Sequence, residues 1–108
     1  MAKREAREPG AWKAIRQVIL ERDDHTCQSC WRYGGQVHHI HERGKGGSDD
    51  PSNLMTLCGP CHMLVSPIPD WVVTKVLRIS VAGLPAARAR VRRRIARWVQ
   101  VGPLRNGS

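Results

Sequence analysis

The chain of 108 residues carries only 5% aromatic side chains and no Phe, so it has the length of about one small domain and little bulk for a core. Such chains commonly need a metal or disulfides as reinforcement. The formal charge of +9 points to a polyanionic partner, either nucleic acid or an anionic membrane surface. No run approaches the ~20 apolar residues of a bilayer span, and the charged opening "MAKREAREPG" is not followed by the apolar stretch of a secretory signal.

In chain order, residues 1–8 read as a charged tail. From Pro9 to Asp23, "PGAWKAIRQVILERD" sets Trp12, Ile15 and Ile19 at helical spacing and predicts an amphipathic helix whose apolar stripe covers the segment that follows. That segment begins with "CQSC" (Cys27, Cys30), and Trp31 after it reads as core packing. "QVHHI" is short and contains β-branched residues, which suits a strand or one arm of a hairpin. "HERGKGGSDDPSN" is a loop by its Gly, Ser, Asp and Pro content. "LMTL" is a second short apolar run, and "GPCHMLVS" predicts one or two helical turns with Pro60 tolerated in the first.

The second cysteine pair, Cys58 and Cys61 in "CGPC", changes the meaning of the first. Two C-x-x-C pairs can supply four thiolates to one closed tetrahedral zinc shell. A disulfide framework is the competing reading, disfavoured without an exported context. A redox dithiol needs one such pair beside a βαβ pattern, which is missing. Alternation along "VHHIH" puts His38 and Ile40 on one face of a strand and His39 and His41 on the other. Helical geometry turns His62, about 100° round from Cys61, away from the cysteine site and predicts that it faces His38.

Beyond residue 66 the composition shifts. "IPDWVVTKVLRISVAGLP" predicts a helix capped by Asp70 and ended by Gly83, with Val73, Val76, Leu77 and Leu84 along one side, although its β-branched content leaves a strand open. "PAARARVRRRIARWVQ" is a clearer helix, with Val91, Ile95, Trp98 and Val99 as an apolar stripe and Arg88, Arg90, Arg92, Arg93, Arg94 and Arg97 over the remainder. Its basic face suits a DNA backbone, a solvated helical hairpin or an anionic membrane. The expected organisation is a tail (1–8), a metal-bearing domain (9–66) and a basic helical extension (67–108).

The ordered set Cys27, Cys30, His38, His39, Asn53, Cys58, Cys61 and His62, in "C-x2-C…VHHI…GGSDDPSNL…LC-x2-CH", resembles the HNH endonucleases, also called ββα-metal or His-Me finger nucleases. The resemblance covers roughly residues 10 to 64. It implies a small α+β fold, a hairpin and a helix clasping one catalytic divalent metal, and hydrolysis of DNA phosphodiester bonds. His39 aligns with the general base, His38 and His62 with metal ligands, and Asn53 with the residue that braces the loop and orients the base. Many relatives have Asp-His where this chain has His-His, and the double-histidine form is similar to that of colicin-type nucleases. Those add a His where this chain has Ser66, so a third protein ligand is left open.

The chemistry suits this division. Water attacking a phosphodiester needs a base near neutral pKa, and a histidine bound to a metal has no lone pair to offer. The implied ions are Zn²⁺ at the cysteines and Mg²⁺ or Mn²⁺ at the histidines, with Ni²⁺, Co²⁺ or Zn²⁺ admitted by two imidazole donors. Arg43 and Lys45 are candidate phosphate contacts, with Arg88, Arg92, Arg93 and Arg94 of the basic helix. His25 and His41 read as ordinary polar residues. The expected enzyme nicks DNA as a monomer, leaving 5′-phosphate and 3′-hydroxyl ends, in the cytoplasm of a bacterial or phage-infected cell. The alternatives are a non-catalytic zinc module that binds nucleic acid and an accessory protein of phage DNA packaging.

Overall fold

The computed structural model describes residues 8–103, so the charged tail expected over 1–8 lies outside the described residues except for Glu8. Helix α1 (Ala11–Arg22) opens the fold and buries Ile19 and Leu20, while Trp12 and Ile15 are half-buried along the same stripe. A knuckle over Cys27–Cys30 leads to strand β1 (Gln36–His39), which pairs antiparallel with β2 (Leu54–Leu57) in the register Gln36↔Leu57, Val37↔Thr56, His38↔Met55 and His39↔Leu54. The loop between the strands carries two short 3-10 turns, Arg43–Lys45 and Pro51–Asn53. Helices α2 (Gly59–Val65), α3 (Asp70–Leu77) and α4 (Leu84–Val101) complete the α+β fold.

β2 is buried along its whole length because α1 contacts it and the cysteine knuckle packs beside it. One buried carboxylate fixes this arrangement. Asp23, just past the end of α1, accepts from the Thr56 backbone N–H (2.9 Å) and from Arg22 through both oxygens (2.8 and 2.9 Å). The Arg22 guanidinium also donates to the carbonyls of Pro51 (2.8 Å) and Leu54 (2.7 Å) and lies 5.3 Å from the centre of the Trp98 ring. A buried charge is tolerated when it is paired and hydrogen-bonded in this way, so α1, the hairpin and α4 converge on one point.

The C-terminal third departs from its sequence expectation in several places. α3 stops at Arg78, which adopts a left-handed conformation (φ 56°), rather than continuing to Gly83. Its β-branched residues have weak helix propensity, so two turns suffice before the chain reverses. Gly83 belongs to the start of α4, its N–H bonding to the Ser80 hydroxyl and carbonyl, both 3.0 Å. Asp70 lies within the first turn of α3 and makes no cap bond; its carboxylate pairs instead with Arg88 (3.1 Å). Val76 and Val99 are exposed, not part of the apolar stripes, and Trp31 is half exposed rather than core.

α4 contributes Leu84, Ala87, Val91, Ile95 and Trp98 to the same core as Cys27, Met55, Leu57, Cys58, Cys61 and Leu64. Trp98 also donates its indole N–H to the Oε1 of Gln28 (3.0 Å), a side chain in the first knuckle that is itself buried. Trp98→Ala should therefore destabilise the chain by about 3–5 kcal/mol, the scale of a large aromatic truncation, as measured by urea unfolding of the metal-loaded protein. For the same reason, the charge of α4 is better tested by substitution than by deleting the helix, which would open the core.

Candidate metal centres and active site

Two sites are built on the hairpin and its flanks. In the first, the Sγ atoms of Cys27, Cys30, Cys58 and Cys61 lie within 4.8 Å of one another, the one cluster of metal-ligating side chains of its kind among the described residues. The Cys30 and Cys58 sulfurs are 3.6 Å apart, against the ~3.8 Å edge expected of a tetrahedron with Zn–S bonds of about 2.3 Å. Each knuckle aims a backbone N–H at its first sulfur: Cys30 N–H at Cys27 Sγ (3.4 Å) and Cys61 N–H at Cys58 Sγ (3.5 Å). Such donors stabilise thiolate charge. All four cysteines are free and converge on one point, which fits a closed structural ion and not paired disulfides.

The protonation pattern belongs to four thiols competing for one space. The Cys61 S–H beside Cys27, with backbone N–H groups, overcomes burial and holds the Cys27 thiol down at about 4. Burial pushes Cys58 up to about 11, and the proton shared with Cys27 together with burial drives Cys61 upward. An ion that takes all four as thiolates must displace the protons that remain.

The second site uses the two faces of β1. On one face, the His38 ring meets the His62 ring edge-on with centroids 5.3 Å apart. His62 comes from α2, one residue beyond Cys61, and its Nδ1 is hydrogen-bonded to the Gln36 side-chain oxygen. With Nδ1–H donating, the His62 lone pair is on Nε2. Burial, and then the charges of His62 and His39, lower the His38 pKa from its ordinary 6.5 to about 4; burial also lowers that of His62. Both imidazoles are thereby held neutral, the state a metal ligand requires, and this donor pair fits a divalent ion.

On the other face, the His39 ring stacks on Trp12 of α1 (5.3 Å, 21° between planes), and its Nε2 lies 2.8 Å from the Asp49 carboxylate. With Nε2–H donating to Asp49, the lone pair is on Nδ1. Asn53 ties the loop that carries Asp49. Its Oδ1 accepts from the His41 N–H (2.8 Å), and its Nδ2 donates to the carbonyls of His41 (3.0 Å) and Ser48 (2.8 Å). Gly47 closes the same loop with no room for a side chain, since a Cβ there would meet the His41 carbonyl oxygen at 1.9 Å. His38, His39 and His62 line one cleft of about 280 Å³ with Glu42 and Arg43.

The remaining sequence candidates are scattered. Lys45 is largely exposed, its Nζ 3.8 Å from Glu42. Arg92 lines a cavity beside His38 and Glu42, whereas Arg93 is simply exposed. Arg94 borders the cysteine cluster together with Arg32 and Arg90. Arg88, grouped by sequence with the nucleic-acid contacts, is turned inward, donating to the carbonyls of Leu64 (2.5 Å) and Ile68 (3.0 Å) as well as to Asp70. His25 stacks on Tyr33, and His41 Nε2 pairs with the Lys45 carbonyl (2.8 Å). Sequence reasoning missed Asp49, Gln36 and the stacking of Trp12. Of these, Asp49 had a signal in the acidic pair before "PSN", but nothing in the sequence says which carboxylate turns toward His39.

Residues 27–66 match the family model described as HNH endonuclease. Among curated proteins, "Anaredoxin" of Nostoc sp. is 38% identical over 52 residues, covering 46% of this chain and 67% of the relative. "Probable HNH endonuclease" of Lactococcus phage SK1 is 37% identical over 60 residues, covering 47% of this chain and 64% of the relative. The chain thus spans about two thirds of the length of these relatives. No solved structure matches it. No helix among the described residues is long and apolar enough to cross a membrane.

Elemental analysis of purified protein should find one tightly held ion at the cysteines, zinc by the donor set. Cys61→Ser should lose it and unfold at a lower denaturant concentration. A second expectation concerns His38. The unfolded side chain takes its proton near pH 6.5, and the folded one near 4. Between these values the unfolded chain holds more protons, so stability rises with pH across the window and is lost as pH falls through it. Histidine NMR titration of zinc-loaded protein without a second metal should show His38 still neutral at pH 5.

Proposed function

The chain belongs to the HNH endonuclease family, and from that premise we propose that it is a metal-dependent endonuclease hydrolysing DNA phosphodiester bonds, nicking as a monomer. The observation that carries this reading is the split of the histidines across β1: His38 and His62 face each other, while His39 is held apart by Asp49 in the same cleft. A non-catalytic module has no use for a histidine held by a carboxylate beside two neutral imidazoles.

His39 Nδ1 takes the proton of the attacking water, and the Asp49 carboxylate balances the imidazolium that forms. The new bond joins water oxygen to phosphorus, the bond to the 3′-oxygen breaks, and that oxygen takes a proton from solvent, leaving 5′-phosphate and 3′-hydroxyl ends. Asn53 acts through the loop: by holding the Ser48 carbonyl it sets where Asp49 stands, and thus the angle of the His39 ring. Trp12 limits the ring's tilt from α1. His38 and His62 would hold the catalytic divalent ion, and Glu42 is the acid that lines the same cleft. When bound, that ion, Mg²⁺ or Mn²⁺ or one of the softer Ni²⁺, Co²⁺ or Zn²⁺, supplies charge stabilisation at the phosphate and the departing oxygen. Arg43 at the cleft and Arg92 beside His38 are placed to meet the phosphates on either side. Zinc at the four cysteines is structural.

Supercoiled plasmid incubated with Mg²⁺ or Mn²⁺ provides the test. His39→Ala should cut at least about 10²-fold more slowly than wild type, the usual scale of a lost general base. Asp49→Asn should lose about 10- to 100-fold through misorientation of the same ring. His62→Ala should regain part of its activity at raised metal concentration, which cannot replace a missing base. Wild-type cleavage unaffected by His39→Ala would end the general-base assignment, and an inert wild type would favour the binding module.

A further inference from the structure

A cavity of about 350 Å³ lies away from the histidines, bordered by Cys30, Trp31, Arg94, Arg97, Trp98 and the Gln28 side chain. Its floor is fixed, because Trp98 and Gln28 are buried and hydrogen-bonded to each other. Its rim is different. Trp31 is 51% exposed, and its backbone sits at φ 71°, a left-handed conformation that glycine adopts freely and a bulky side chain does not. The turn that closes the first knuckle, with Trp31 N–H bonding to the Cys27 carbonyl (2.9 Å), imposes that conformation. At this position the sequence has an indole, held outward at a cost in backbone strain, beside two exposed guanidinium groups. Strain of this kind clusters at ligand-binding sites, and of the four non-glycine residues with positive φ among the described residues, Asp24, His25, Trp31 and Arg78, it is Trp31 that borders this cavity.

We propose that this cavity binds one unstacked nucleobase of a single-stranded DNA segment, the base lying on the Trp31 ring and its flanking phosphates on Arg94 and Arg97. The inference rests on the reading of the chain as a DNA-cutting enzyme and adds an anchoring site to it. A base inside a duplex has both faces covered by its neighbours and cannot offer one to an indole in a concave site. An unpaired base can, and stacking of this kind tolerates any base. The two arginines fit because planar guanidinium groups pair with phosphate oxygens. The cavity is at the small end of the range for ligand sites, about 300–1,000 Å³, which suits one base and not a folded partner. The site also separates the duties of α4, whose Arg88 is structural and whose Arg92 lies by His38.

The test uses full-length, zinc-loaded protein without added divalent metal, and a fluorescein-labelled 12-residue oligothymidylate against a duplex of the same length. Trp31→Gly removes the indole and suits the backbone angle, so its melting temperature should equal or exceed that of wild type; Trp31→Asn is the second variant of that kind. Both should bind the single strand at least about fivefold more weakly, while Trp31→Phe keeps most of the affinity. Arg94→Gln with Arg97→Gln should make the slope of log K against log salt shallower by about 1.4, two single-strand phosphates' worth. Duplex affinity should respond to the arginines and not to Trp31. Unchanged single-strand binding by Trp31→Gly, equal losses on duplex and single strand, or no binding of the oligonucleotide by wild type would each overturn the proposal. The outcome is independent of cleavage. A plasmid assay in which His39→Ala still cuts refutes the catalytic reading while a Trp31-dependent single-strand affinity stands, and the reverse pair of results refutes the cavity alone.

Discussion

Four sulfur atoms drawn to one point set the terms for everything else in this small protein. Cys27 and Cys30 follow α1, Cys58 and Cys61 open α2, and the hairpin runs between them. Closing the cluster therefore fixes both ends of the hairpin segment at once. It also fixes His62, which follows Cys61 directly and meets His38 only because α2 starts where Cys58 accepts the Cys61 N–H. With no Phe and a thin apolar core, the chain has little else strong enough to hold that geometry. The displaced thiol protons make the arrangement sensitive to acid, since a metal competes with protons for each sulfur.

The hairpin converts this rigidity into separated chemistry. Alternation along two consecutive histidines turns one imidazole toward His62 and the other toward Asp49 and Trp12, so a single backbone step keeps the two environments apart. Neither face is self-sufficient. The His38–His62 side depends on Gln36, which engages the His62 Nδ1. The His39 side depends on a loop that Asn53 bridges through its whole carboxamide. Parts of the chain outside the family-matched segment take a share as well: α1 supplies Trp12, and α4 supplies the floor beneath the cysteine knuckle.

What could be read from the sequence follows the range of the forces involved. Cysteine spacing and strand alternation are local, and both led to the observed site: the four-sulfur cluster, the histidines on opposite faces, and Asn53 in the loop. Asp49, Gln36 and Trp12 reach their partners across the fold, and no periodicity announces such contacts. The same reason explains the misplaced elements. Val99 and Val76 fit an apolar stripe by spacing, yet both are more than half exposed, because spacing alone does not say which part of a stripe the rest of the fold covers. Trp31 was expected inside because it is large and apolar; the knuckle's turn geometry faces it outward instead. The end of α3 was missed because a left-handed arginine, unlike a glycine, carries no signal.

The arginines give the net charge a meaning that counting cannot. Arg16 donates to the Gly35 carbonyl, Arg22 to Pro51, Leu54 and Asp23, and Arg88 to Leu64, Ile68 and Asp70. These three guanidinium groups act as masonry, joining segments through their backbone carbonyls, and Arg22 and Arg88 each use a planar fork that an ammonium does not have. Exchanging every arginine for lysine would leave the formal charge at +9 while taking apart the scaffold that these three groups join. Arginine enrichment in such a chain is thus two populations under one letter, one facing solvent, the other half-buried against backbone carbonyls and fixed in kind.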